Sequence, residues 1–287
     1  MSHWLTATIA DKSLIQLLGG LLLGVLIAAL AWRARALNRS GAWSAALTGS
    51  LIFGLGGIAW ATLLLTFFIS SSALSQGLSR RKAALSEKFA KGSQRDWGQV
   101  LANGGLGALL VCLHALYPEQ SWSWIAFAGA MAAVNADTWA TEIGVFSPTT
   151  PRLITTGKPV PTGTSGGITP LGYLAVTSGA ALIGVMATLV SSTAYPLAWA
   201  AVITLAGVAG SSFDSLLGAT LQAIYWCPTC KKETERHPIH TCGSATTLRR
   251  GWRWLNNDWV NFLCSLVGAL TAAGLGLLIT AIFPAMR

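Results

Sequence analysis

Four carboxylates lie where an apolar chain ought to avoid them. Asp137 and Glu142 end one hydrophobic stretch, Asp214 sits inside another, and Asp258 opens a third. An acid facing hydrocarbon is costly, so such groups mark candidate functional sites. Arg152-Leu-Ile-Thr-Thr156-Gly-Lys158 follows the first pair, and then the loop Gly163-Thr164-Ser165-Gly166-Gly167. Acids able to hold a divalent cation, basic groups and a loop rich in donors together point to phosphate chemistry at a membrane face.

Helical spacing puts Asp137 and Thr141 on one side of their segment, with Thr138 and Glu142 beside them. Two acids five residues apart converge on one ion if the helix breaks near Gly144. Magnesium favours one or two carboxylates plus phosphate oxygens and retained waters. Lys158 supplies a point charge, and Gly163, Gly166 and Gly167 let backbone N–H groups approach an anion. Thr164 and Ser165 are expected to cap the following helix and so bring its positive end to the same spot. The loop is not a Walker A motif, because no Gly-Lys-Ser/Thr opens the helix. The bland alternatives are interfacial snorkelling for the acids and an ordinary turn for the glycines.

Asp214, Gly218 and Gln222 form an i, i+4, i+8 stripe that should face other helices, as an ion site or as interhelical hydrogen bonding. Asn256-Asn257-Asp258 can bind metal or nucleotide, or cap the last helix. Ser70–Ser72, Ser75 and Gln76 precede Arg80-Arg-Lys82, and Arg95-Asp-Trp leads to Asn103-Gly-Gly. These could reach phosphate groups, although topology alone accounts for the cations. Cys227-Pro-Thr-Cys230 with His240-Thr-Cys242 fits a tetrahedral Cys3His zinc site, with His237 as the competing nitrogen donor. The expected role is structural; a disulfide is disfavoured on a reducing side. Cys112 and Cys264 read as packing residues, and His3 and His114 belong to no recognisable site. No Ser-His-Asp or Cys-His nucleophile arrangement emerges.

The elements that must position these groups are membrane helices. Of the 287 residues 53% are hydrophobic and 10% charged, with a mean hydropathy of +0.56. That composition predicts an all-α polytopic membrane protein. Apolar stretches at 13–32, 42–57, 59–77, 98–117, 121–142, 167–191, 196–222 and 258–283 predict about eight crossings. The second and third are one run broken only around Gly54–Gly57. The first is no secretory signal, since Arg33, Arg35 and Arg39 follow it instead of preceding it. If 33–41, 78–97, 143–166 and 223–257 face the cytoplasm, they hold every Lys and Arg except Lys12 and Arg287. The positive-inside rule then puts the site at the cytoplasmic face and both termini outside or lumenal. Topology and attraction to membrane lipids account for the net charge of +9, so it is no signal of nucleic-acid binding. Thirteen Trp suit interfacial belts. Residues 1–287 read as one integral membrane domain with a cytoplasmic, zinc-knuckle-like insert at 223–257.

At Arg95–Gly105, Asn135–Gly144, Pro151–Thr156, Gly163–Gly167, Tyr225–Cys230 and Gly251–Asp258 the chain resembles the phytyl-phosphate kinases and their transmembrane-protein-19-like relatives. The resemblance spans nearly the whole length. The order Asp137, Ala140, Gly144, Lys158, Gly163, Gly167 is also similar to the signature of membrane CTP-dependent enzymes, polyprenol kinases and phosphatidate cytidylyltransferases among them. The resemblance implies a bacterial plasma or thylakoid membrane and a kinase that turns an isoprenyl monophosphate, phytyl phosphate foremost, into the diphosphate. A nucleoside triphosphate, with CTP favoured, would be the donor. In that scheme Asp137, Glu142 and Asp214 hold Mg2+. Lys158 and the Gly163–Gly167 amides meet the transferring phosphoryl group, and Arg152 or Arg80 holds the acceptor. Thr156, Thr164, Ser165, Asn103, Asn257 and Asp258 are further binding candidates. A cytidylyltransferase making a CDP-lipid and a transporter with carboxylate relays are the alternatives.

Overall fold

The computed structural model describes residues 14–79, 88, 91–92, 94–191 and 193–283. His3, Lys12, Arg80 to Lys82 and Arg287 lie outside them, so the expected acceptor role of Arg80 falls outside the described residues. Seven long helices make the bulk: α1 (Leu14–Arg33), α2 (Arg39–Leu78), α3 (Trp97–Leu116), α4 (Trp122–Ile143), α5 (Pro170–Val190), α6 (Pro196–Thr220) and α7 (Asn257–Ile282). All but α4 are long and apolar enough to cross a membrane. The protein is a helical, polytopic membrane protein, as its composition predicts.

A straight helix of 40 residues would reach about 60 Å, but α2 is not straight. Gly57 adopts φ 75° and ψ −163°, a positive-φ break that a side chain would resist. Beyond it the chain doubles back. Gln76, near the end of α2, donates to the Ala34 carbonyl before its start at 3.4 Å. Phe68 likewise packs on the Ala31, Ala36 and Leu37 cluster beside Ala42 and Ala45. The two arms are therefore the separate apolar stretches expected at 42–57 and 59–77, hinged at the last of the glycines between them.

Helix α4 is the axle of the bundle, touching α2, α3, α5, α6 and α7. Every residue from Ala126 to Ala136 is buried. Small residues permit this crowding, as they do between lipid-embedded helices where close backbone approach replaces the hydrophobic drive. A Cβ built on Gly268 of α7 would stand 2.5 Å from the Gly129 carbonyl oxygen and 2.6 Å from the Ala133 Cβ. Towards one end of α4 lies an aromatic cluster of Trp60, His114, Trp124 and Phe127. Towards the other, Asn135 is fully buried and bonded at both ends of its amide: Nδ2 donates to the Gly179 carbonyl at 2.8 Å, and Oδ1 accepts from Ser70 at 2.9 Å and Ser71 at 3.1 Å. That one amide ties α2, α4 and α5 together just below the acids.

Two small sheets depart from the purely helical expectation. β1 (Arg152–Leu153) pairs antiparallel with β2 (Gly167–Ile168), folding the glycine loop into a hairpin. β3 (Ile224–Cys227) runs between β4 (Lys232–Thr234) and β5 (Thr247–Arg250), so the polar insert is a three-stranded sheet carrying the cysteine knuckle. Helix starts are capped where short polar side chains stand. Asp96 and Gln99 make a capping box on α3, Asn256 accepts from Asp258 and Trp259 N–H on α7, and Thr169 accepts from Gly172 N–H on α5. The last corrects the expectation that Thr164 and Ser165 would cap α5. Pro170, preset for the first helical position, fixes the start one residue after Thr169.

Candidate functional site

Six helix ends that carry polar side chains converge on one cavity of about 540 Å³, within the range of roughly 300–1,000 Å³ usual for small-molecule sites. It draws on the ends of α2, α4 and α6, the starts of α3, α5 and α7, the glycine hairpin and the insert. Asp137, Glu142, Asp214, Asn103, Asn257 and Gly163 to Gly167 all line it. Residues more than 150 positions apart thus meet because helices of similar length all end at one level.

The acids divide into two groups. Asp137 on α4 and Asp214 on α6 face each other's charge, and Glu235 from the insert adds a third negative group. Ser211 donates to Asp137 Oδ1 at 3.4 Å, whereas Asp214 Oδ2 is buried with no hydrogen-bond partner. Three acids that feel one another's charge thus line one cavity, one of them with an orphaned oxygen, and carboxylate oxygens are the ligand type that Mg2+ prefers. Glu142, the other acid expected in this set, is engaged elsewhere. Its Oε1 accepts from Ser75 at 2.9 Å, and its charge faces Arg95.

Arg95 is held with unusual firmness for a cation in a loop. Its N–H and C=O pair with Ala36 and Asn38, and its guanidinium lies 5.0 Å from the Phe67 ring and 5.8 Å from Phe68. Gly41 packs so closely on the Arg95 carbonyl that any Cβ there would collide with it. Burial pulls the guanidinium down to about 10 while Glu142 pulls it back up, so it stays charged at neutral pH. Lys91 is the second cation on the wall. It pairs with Asp96 at 2.8 Å and with Asp258, which reaches the site only through this lysine.

The hairpin is arranged differently from its sequence expectation. Leu153 N–H bonds to Lys158 C=O and Gly157 N–H to Leu153 C=O, closing a turn whose tip bears Thr156 and Lys158. Both are exposed and absent from the cavity wall, and Arg152 is spent on the Gly157 carbonyl at 2.8 Å. Lys158, Thr156 and Arg152 are thus not brought to the other candidates; β-pairing turns that end of the loop outward. Gly166, at φ 82°, is a glycine for packing reasons: a Cβ would run into the Ala219 backbone, and one on Gly218 would lie 2.9 Å from Gly166 N. Ser165 faces inward and donates to Glu235 Oε1 at 2.9 Å, which also accepts from Gln222 at 2.9 Å.

Lys91 and Glu235 are the charged lining residues that the sequence leaves unmarked. Both sit in strongly basic segments, where charge reads as topology and an acid as a surface salt bridge. Glu233, two residues earlier, is such a bridge, with Arg249 at 3.2 Å. Tyr173, hydrogen-bonded to Ser212 at 3.1 Å, is a further polar group on the wall without any local signature.

Known proteins resemble this chain over most of its length. The chain is 32% identical over 274 residues to protein PGR of Arabidopsis thaliana, covering 88% of this chain and 93% of that one. It is 30% identical over 260 residues to an uncharacterized membrane protein of Methanocaldococcus jannaschii, covering 90% and 94%. An uncharacterized membrane protein of Synechocystis is 28% identical over 236 residues, covering 77% and 78%. No solved structure matches the chain significantly. The family model described as integral membrane protein DUF92 matches residues 22–269, reaching into all seven helices and taking in the whole cavity. The chain belongs to the integral membrane protein DUF92 family, in keeping with the resemblance carried by its motifs.

Proposed function

We propose that this protein is a membrane phosphotransferase that extends an isoprenyl monophosphate, phytyl phosphate foremost, to the diphosphate, with a nucleoside triphosphate, CTP favoured, as donor. The observation that carries the reading is a ligand-sized cavity at the helix ends whose lining includes three carboxylates within reach of one another's charge and two cations, Arg95 and Lys91. Asp137, Asp214 and Glu235 would hold Mg2+, which when bound neutralises donor phosphate charge. Arg95 and Lys91, also on the cavity wall, would attract phosphate oxygens, and the hairpin backbone contributes further lining. Phosphoryl transfer asks a protein for little more than such positioning and charge compensation. The clustering of Lys and Arg loops at this end supports a cytoplasmic site, where nucleotides are available.

The test is product identity. Purified protein given phytyl phosphate, Mg2+ and each of the four labelled ribonucleoside triphosphates should form phytyl diphosphate and release nucleoside diphosphate. Release of pyrophosphate would replace the reading with nucleotidyl transfer. Ion-coupled flux in proteoliposomes without nucleotide turnover would replace it with transport. The cations give a second prediction. Lys91→Gln should cost about 100-fold in kcat/KM, the scale of one preorganised electrostatic contact. Lys158→Ala, at an exposed turn tip, should change it less than about 3-fold, as surface substitutions do. The reverse order in the same assay would return Lys158 to the site.

A further inference from the structure

The insert between α6 and α7 gathers Cys227, Cys230, His240 and Cys242, with one ligand atom of each within 4.8 Å of all the others. Three edges of this group are short. Cys227 Sγ lies 3.5 Å from Cys242 Sγ, Cys230 Sγ lies 3.5 Å from His240 Nδ1, and His240 Nδ1 lies 3.3 Å from Cys242 Sγ. A tetrahedron built on zinc–sulfur bonds of about 2.3 Å and zinc–nitrogen bonds of about 2.0 Å has edges of roughly 3.5–3.8 Å. The four donors thus stand close to zinc-site spacing. The sulfurs are too far apart for a disulfide, whose bond is about 2.05 Å. His237, the alternative ligand by sequence, is committed elsewhere. Its ring stacks on Tyr225 at 4.3 Å and 8°, and its Nδ1 lies 3.3 Å from Thr246 Oγ1.

What this cluster encloses matters more than the cluster itself. Between Cys230 and His240 the chain runs through β4 and directly into Glu235, the acid that the insert contributes to the cavity. Glu235 N–H donates to the Lys88 carbonyl at 2.9 Å, and its carboxylate takes the hydrogen bonds of Ser165 and Gln222. A short three-stranded sheet has little core with which to fix such a loop. A metal tying residues 227, 230, 240 and 242 closes it on both sides of the acid.

We propose that Cys227, Cys230, His240 and Cys242 bind one Zn2+ and that this ion makes Glu235 a positioned member of the cavity. Only its consequence for turnover rests on the phosphotransferase reading; metal binding and the ordering of Glu235 do not. Elemental analysis of the full-length protein purified from zinc-supplemented cells should find about one zinc per chain. Cys230→Ser and His240→Ala should lose it, while His237→Ala and Cys112→Ser, the latter within α3, keep it. Exchange of Co2+ for the bound metal should bring thiolate-to-cobalt charge-transfer absorption. Chelation of wild-type protein, which avoids any folding defect of a variant, should speed hydrogen exchange across residues 231–241 at least ~10-fold. The amides of α4 and α6 should be unaffected. Wild-type protein without zinc, or zinc retained by Cys230→Ser and His240→Ala, would overturn the site. Unchanged exchange around Glu235 after metal removal would overturn its positioning role. Neither readout uses catalysis, so failure of the phosphotransferase assay would leave both outcomes legible.

Discussion

Asp137→Asn and Asp214→Asn are each expected to lower turnover at least ~100-fold while leaving the thermal midpoint at or above the wild-type value. The loss follows from removing a charge-matched contact that chemistry on phosphate requires, typically worth about 10²–10³ in rate. The unchanged or raised stability follows from the same geometry. Asp137, Asp214 and Glu235 repel one another, and Asp214 Oδ2 is buried without a donor. Amide replacement removes one of three like charges at nearly constant volume, and Ser211 can still donate to Oδ1 of residue 137. Loss of activity with gain of stability is the trade-off that separates a functional carboxylate from a structural one. Near-normal turnover in purified Asp137→Asn, or a fall in both activity and melting temperature, would sink the assignment. Glu142→Gln should behave differently: its carboxylate accepts from Ser75 and faces the buried Arg95, a favourable charge pairing, so stability should fall with activity.

The second large effect concerns packing. Gly268→Val should destabilise the bundle by about 3 kcal/mol, the upper part of the usual range for overpacking. The reason is that the new atoms would meet Gly129 backbone and Ala133 at distances no side-chain rotation relieves. Gly274→Val, six residues along the same helix, meets nothing within 4 Å and should leave the midpoint unchanged or slightly raised, since glycine is a poor helix residue. Melting in detergent with monodispersity on gel filtration measures both. Equal midpoints for the two variants would mean that α4 and α7 are not in the close contact described.

The helical framework was legible because lipid imposes so simple a rule on composition, and even the hairpin in α2 announced itself by four residues, Gly54-Leu-Gly-Gly57. The polar positions on α4 and α6 were legible for the same reason: an Asp in an apolar run costs too much to stand there without a role. The loop was harder. Its glycines suggested phosphate access, yet Gly166 is fixed by contact with Ala219 and Gly218, a relation between segments some fifty residues apart that no local pattern encodes. Lys158 looked suited by proximity in sequence, and β-pairing turned it away. Lys91 and Glu235 arrive from segments dense in charge, where one functional ion cannot be told from its solvated neighbours until the chain is folded. Thr169 displaced Thr164 and Ser165 as cap because Pro170, preset for the first helical position, starts the helix directly after it.

The interior position of α4 also bears on how the protein is made. Asn135, Asp137, Thr138, Thr141 and Glu142 leave this segment less apolar than its six companions, and polar residues weigh heavily against release of a lone helix into lipid. A nascent α4 therefore gains most from meeting α2 and α3 already in place, and from the arrival of α5, whose Gly179 carbonyl receives Asn135. Insertion of this helix is therefore expected to be cooperative, the polar strut entering the bilayer together with its neighbours.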